Sequence, residues 1–163
     1  MPSDEVDELV AAWRRERADL DLAPVEIFSR LSRLSRQLDL ARKAAFAAHA
    51  LDGWEFDVLA ALRRAGTPYQ LTPGQLTRQT LVTSGTMTNR VDRLAGRGLV
   101  TRSPDPADRR GVLVGLTPTG KAAVDAAFEA LIESERTLLN ELADGDQTEL
   151  TRLLKALMAP LRP

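Results

Sequence analysis

Between Thr72 and Gly120 two short helix signals are joined by a tight turn and followed by two β-prone runs around a Pro/Asp/Arg-rich loop. Few architectures accept that order in so short a span. Thr72-Pro73-Gly74-Gln75 reads as a capping box with proline at the first helical position, so a helix starts there and runs to about Gln79 or Thr80. Thr80 to Thr83 are poor helix formers and supply the turn. Ser84 is expected to cap a second helix, and Gly98 to end it, because glycine best takes the left-handed conformation. Leu99 to Arg102 is β-prone, and Val112, Val114 and Leu116 alternate with Leu113, Gly115 and Thr117, as in a strand with one buried face. Ser103-Pro104-Asp105-Pro106 between them is expected to break the ladder and form the loop, and Thr117-Pro118 to open the next helix. The order is a helix-turn-helix followed by a hairpin.

Stepping about 100° per residue around the second helix puts Met87, Val91 and Leu94 on one buried stripe. Asn89 lies nearly opposite, and Thr86, Asp92 and Arg93 also face away. From Thr72 to Lys121 the chain carries eight basic residues against three acidic ones, a balance of +5 hidden within a net charge of −1. Concentrated cations on a helix-turn-helix with a hairpin suit duplex DNA: the helix can enter the major groove and an arginine the minor groove. Asn pairs bidentately with adenine and Arg with guanine, while hydroxyls and a helix N-terminus suit phosphate. Ser84, Thr86, Asn89 and Arg93 are therefore the candidate DNA contacts on the helix. A merely solvated helix face is the alternative reading of the same four residues.

The rest of the chain reads as helical. Val6, Leu9, Val10 and Trp13 recur at helical spacing behind Ser3 or Asp4, and Asp19 to Pro24 interrupts the pattern. A long helix from about Val25 to Ala48 carries Phe28, Leu31, Leu34, Leu38 and Ala41 on one face. Asp52-Gly53-Trp54-Glu55 caps a helix that ends near Gly66. Val124, Phe128, Leu131 and Leu138 mark a helix from Pro118 to about Leu142, and Asp146-x-x-Glu149 is expected to cap a last one bearing Leu150, Leu154, Leu157 and Met158. Leucine-rich terminal helices with no other core to join point to a second copy of the chain, the alternative being that they only complete the monomer core. The fold class expected is mainly α, an α+β winged helix in one domain over 1–163.

Composition excludes more than it selects. The 163 residues suit a single domain, and no apolar run is long enough to span a bilayer. No signal-peptide pattern opens the chain, so cytoplasmic residence is the expectation. With no cysteine and one histidine, His49, neither a disulfide, a thiol sensor nor a structural zinc site is expected, and no cofactor. G-x-S-x-G, P-loop and G-x-G-x-x-G patterns are absent, so an enzyme is not expected. Asp57 is the one charged residue in FDVLAAL, and Arg90 sits about 60–70° from the buried stripe of its helix. Left alone, either would be costly to bury, which invites a partly buried pair of purely architectural meaning. Trp13 reads from its stripe as a core residue.

The run from Ser84 to Gly98, then DPADRR and VGLTPTG, resembles the MarR family of winged-helix transcriptional regulators over nearly the whole chain. Asp108-x-Arg110, an apolar strand and Leu116-Thr117-x-x-Gly120 carry the resemblance most specifically. It implies a homodimer on a pseudo-palindromic operator, with 1–50 and 118–163 as the helical dimerisation region and 54–117 as the winged helix-turn-helix. It further implies that Asp108 orients an arginine into the minor groove; Arg110 holds that place by spacing, with Arg109 as competitor. Trp13, Asp57 and Arg90 together, with the segment WEFDVLAALRRAG, resemble the ligand set of the family's urate-responsive branch. That resemblance implies a repressor released by a small organic anion such as urate, with Trp13, Asp57 and Arg90 as the ligand-binding residues. Two other readings stay open on the residues alone: a winged-helix protein-interaction module, which would not need Arg93, Arg109 and Arg110, and a nonspecific architectural DNA-binding protein.

Overall fold

The computed structural model describes residues 3–161, with the backbone alone at 109, 110 and 161. The chain divides into two compact units, Met1–Arg42 and Lys43–Pro163. In the first, α1 (Glu5–Glu16) begins at Asp4, whose carboxylate accepts from the Val6 and Asp7 backbone N–H groups. Asp7 in turn accepts from the Asp4 N–H at 2.8 Å, so three backbone donors at the helix start are satisfied by the two carboxylates. Asp21 accepts from Ala23 N–H at the start of α2 (Ala23–Ala47), whose first turn holds Pro24 rather than stopping at it. Val6, Val10 and Leu22 form a small buried cluster backed by Leu9 and Val25. Arg30 bonds Asp4 at 2.8 Å and Asp7 at 2.6 Å, tying α1 to α2 by charge as well as by apolar contact. Trp13 stands outside the cluster, half exposed, so burial of the first stripe ends at Val10.

The second unit has one core, built from the last turn of α2, α3 (Gly53–Arg64), α4 (Pro73–Thr80), α5 (Ser84–Gly96), the sheet and α6 (Pro118–Leu139). α3 contributes Phe56, Val58, Leu59 and Leu62, while small Ala60 and Ala61 let neighbours approach closely. Phe46 stacks on Phe56 at 4.1 Å between ring centroids. Arg63 and Lys121 both bond Asp125, at 2.8 and 2.7 Å, which joins α3 to α6 at the edge of the core. Thr72 and Gln75 make the expected reciprocal cap at α4, with Pro73 in its first turn. The sheet is antiparallel in the order β1-β3-β2, formed by β1 (Gln70–Leu71), β2 (Val100–Asp105) and β3 (Asp108–Leu116).

Four local expectations need correction. Thr83, not Ser84, is the N-cap of α5: its hydroxyl accepts from Thr86 N–H, and Ser84 is the first helical residue. Pro104 does not end the ladder; it pairs with Val112, because β2 is an edge strand where a missing N–H is tolerated, and a register shift follows at Asp105. Within β3 only Val114 of the three alternating residues is fully buried, and Val112, near the hairpin tip, is exposed. α7 (Asp144–Met158) begins two residues before Asp146, and the Gln147 amide caps the Leu139 and Leu142 carbonyls at the end of α6. Gly98 does end α5 with φ of 70°, and at Gly120 a Cβ would meet the Leu99 carbonyl oxygen, so only glycine lets α6 start against β2.

Candidate nucleic-acid interface

α5 is held on one face and open on the other. Met87, Val91 and Leu94 are at most 1% exposed, and each contributes about 2 kcal/mol through apolar burial. Ser84, Thr86, Asn89 and Arg93 project from the opposite side and are exposed, as the periodicity requires. Thr83 and Thr86 share a hydroxyl hydrogen bond of 2.9 Å, so the first turn presents a fixed pair of oxygens beside the helix N-terminus. Two arginines three residues apart continue along the flank: Arg90 lies over the Trp54 ring at 5.5 Å and Arg93 over the same ring at 4.7 Å. Trp54, Gly85, Thr86, Asn89, Arg90 and Arg93 line an open concavity of about 480 Å³.

Two further contacts set the position of α5. Arg102 on β2 bonds Asp92 at 2.7 Å and the Thr88 carbonyl at 3.4 Å, so the hairpin is fastened to the middle of the helix. Arg97, the C-cap residue, bonds Glu55 at 2.5 Å and the Ala50 carbonyl at 2.7 Å. Glu55 is the buried carboxylate of α3, 3% exposed, whereas Asp57 is exposed. The reading of Asp57 as the carboxylate inside an apolar helix is thus corrected: helical stepping aligns Glu55 with Val58, Leu59 and Leu62 on the inner face, and Asp57 with Gly53 and Arg64 on another. Sequence reasoning also missed Trp54, Arg97 and Arg102. The only sequence signal for Trp54 and Glu55 is the capping box that contains them, which explains Glu55 locally and conceals its second partner.

The hairpin turns at Pro106 and Ala107, where Asp105 accepts from the Ala107 N–H at 2.8 Å. Asp108 opens β3 and is exposed. The backbone of 109 and 110 continues β3; the side chains of Arg109 and Arg110, named above as wing contacts, lie outside the described residues. Trp13 belongs to the first unit, and Asp57 and Arg90 to the second. Among the described residues no group of His, Cys, Asp and Glu could hold a metal ion, and no helix is long and apolar enough to cross a membrane.

A buried-stripe helix displaying Asn and Arg, fastened to an arginine-bearing hairpin, is the arrangement of a winged helix-turn-helix, and the comparisons with known proteins agree. The MarR family model matches residues 51–111. The HTH-type transcriptional regulator PecS of Dickeya dadantii is 39% identical over 150 residues, covering 92% of this chain and 90% of that one. Among solved structures, a mutant of MarR from E. coli complexed with operator DNA superposes with a TM-score of 0.67 at 25% identity, covering 96% of this chain and 99% of that one. Bordetella bronchiseptica BpsR, studied for regulation of its DNA binding by 6-hydroxynicotinic acid, gives 0.59 at 28% identity, covering 78% and 98%. A near-full-length relative, the family model over the DNA-binding module and a shared fold converge: this chain belongs to the MarR family of winged-helix transcriptional regulators.

Proposed function

We propose that the protein is a cytoplasmic, homodimeric repressor that binds a pseudo-palindromic operator and is released by a small organic anion of the urate type. The observation that carries the DNA reading is the exposed row Ser84, Thr86, Asn89 and Arg93, set on a helix whose other face is locked by three fully buried side chains. Asn89 and Arg93 read base edges in the major groove, and Ser84 and Thr86 hold phosphate at the helix N-terminus. Arg110, or Arg109 beside it, enters the minor groove with Asp108 orienting it. Exposed apolar residues on α6 and α7, among them Phe128, Leu138, Leu153 and Leu157, supply the surface for the second copy.

Trp13, Asp57 and Arg90 form the ligand set in this reading. Arg90, over the Trp54 ring, is the cation for the anionic ligand, Trp13 offers a ring face and an indole N–H, and the exposed Asp57 is the third member of the set. Because Arg90 rides on α5, engaging it moves the helix. A shift of about 1–2 Å in each subunit suffices to spoil simultaneous insertion into two grooves. A differential affinity of about 1–3 kcal/mol makes a working switch. The MarR complex with operator DNA and the regulation of BpsR by a small aromatic acid support this reading by analogy.

The test is a gel shift and footprint on the DNA beside the reading frame, with sonicated competitor, repeated during urate titration followed by tryptophan fluorescence. Protection of an inverted repeat, relieved by urate in wild type but not in Trp13→Phe or Arg90→Ala, is the expected result. Wild-type responses in both variants would remove the ligand assignment, and the absence of any preferred fragment would remove the regulator.

A further inference from the structure

Arg90, Arg93 and Arg97 follow one another at i, i+3 and i+7 along α5, and all three dock on a single turn, the four residues from Asp52 to Glu55 at the start of α3. Trp54 receives the first two on its ring, and its indole N–H donates to Asp52 at 3.3 Å, which holds the ring. Arg97 bonds the buried carboxylate of that turn. It donates to Glu55 and, through a second nitrogen, to the Ala50 carbonyl in the turn between α2 and α3, where Ala50 has φ of 55°. The same Glu55 oxygen accepts from the Asp52 backbone N–H at 2.9 Å, so the buried carboxylate joins the cap of α3 to the end of α5, and Arg97 carries the link on to the turn after α2.

We propose that Glu55 and Arg97 are a positioning pair for DNA reading, setting the angle at which α5 presents Asn89 and Arg93. The inference rests on the regulator reading above. Glu55 is buried and negative, so it has no role against phosphate. The helix is already fastened to the core by Met87, Val91 and Leu94, and an ion pair with Glu55 buried but Arg97 partly open to solvent adds little to stability over that apolar packing. What a guanidinium held through two nitrogens does add is direction, since its N–H groups donate in its own plane. The buried stripe and the Arg102–Asp92 bond hold the first three turns of α5, and the Arg97 tether fixes its last turn, so the helix cannot pivot there; base reading tolerates little misplacement. The pair is therefore coupled to specificity, not to the bulk attraction for phosphate.

The experiment compares wild type, Glu55→Gln, Arg97→Lys and the double variant on the DNA fragment upstream of the reading frame and on sonicated DNA, with thermal unfolding of each protein. Gln keeps the acceptor that the cap of α3 needs while removing the charge, and Lys keeps the charge while losing the fork. We expect each single variant to lose about tenfold in affinity for the preferred fragment, with binding to sonicated DNA within about twofold of wild type. The double variant loses no more than either single one, because the two residues act as a unit. For Glu55→Gln the salt dependence of binding stays that of wild type, because no phosphate contact is lost. Unchanged preference in both single variants, additive losses, or equal losses on both DNAs that follow the drop in melting temperature would each overturn the pair's role while leaving the regulator intact. If wild type itself prefers no fragment, the regulator reading falls and the pair with it.

Discussion

Asp125 receives hydrogen bonds from Lys121 and Arg63, and these, the lysine first, hold its carboxyl below the ordinary value of 3.8 against a smaller opposing effect of burial. A carboxylate whose folded pKa is depressed stabilises the fold above its unfolded pKa and loses that contribution as pH falls through the folded one. The window therefore lies below pH 3.8. Asp125→Asn should be less stable than wild type near neutral pH, and the gap should close in acid; urea unfolding across that range checks it, and a gap constant with pH would exclude the linkage. Asn89 is the corresponding test on the DNA face. Exposed and opposite the buried stripe, it carries no packing role, so Asn89→Ala should unfold as wild type does. Its loss should weaken operator binding by about 1–3 kcal/mol and relax the preference at one base pair only, read by a gel-shift series over single-base variants of the site. Uniform weakening over all sequences would make Asn89 a phosphate contact instead.

The turn between α4 and α5 holds Leu81 in the left-handed region, φ of 54°, with its side chain 91% exposed. A γ-branched residue there is strained and returns no burial, whereas asparagine adopts that conformation readily. Leu81→Asn should raise the stability of the isolated protein by about 0.5–1 kcal/mol, seen as a melting temperature higher by a few degrees. No change would mean that Leu81 is covered in the folded assembly. This turn also shows which elements could be read in advance. α4 and α5 were legible because their signals are local: a proline and two capping partners within four residues, a three-residue apolar stripe, and a glycine where the chain turns left-handed. β1 was not legible, since two residues have no periodicity and exist as a strand only through pairing with Val114 and Gly115. α7 was misplaced because Asp146-x-x-Glu149 imitates a cap while Gln147 serves the preceding helix. At the site, helical stepping located Asn89 and Arg93, but the Trp54 platform and the Glu55–Arg97 pair join residues far apart in sequence, and no local pattern announces them.

α7 spans fifteen residues and buries none of them, although Leu153 and Leu157 lie four apart on one side with Met158 beside them. A helix of this length is marginal alone in water, so packing must stabilise it. In the proposed assembly that packing comes from the second subunit, and it also spaces the two copies of α5 for successive major grooves, about 34 Å apart. The apolar face and the DNA affinity are then linked through one equilibrium. Each half-site alone binds weakly; joined in a dimer, the second α5 binds intramolecularly and the specific affinity rises by orders of magnitude. Leu153→Glu with Leu157→Glu should convert the protein to monomer in sedimentation equilibrium and lower operator affinity steeply. α5 itself is untouched, so nonspecific binding per chain should survive. Wild-type melting temperature should climb with protein concentration, as dissociation accompanies unfolding, and the double variant should melt at one temperature whatever its concentration. A double variant that sediments as wild type and melts as wild type would place the subunit interface elsewhere and leave α7 free for another partner.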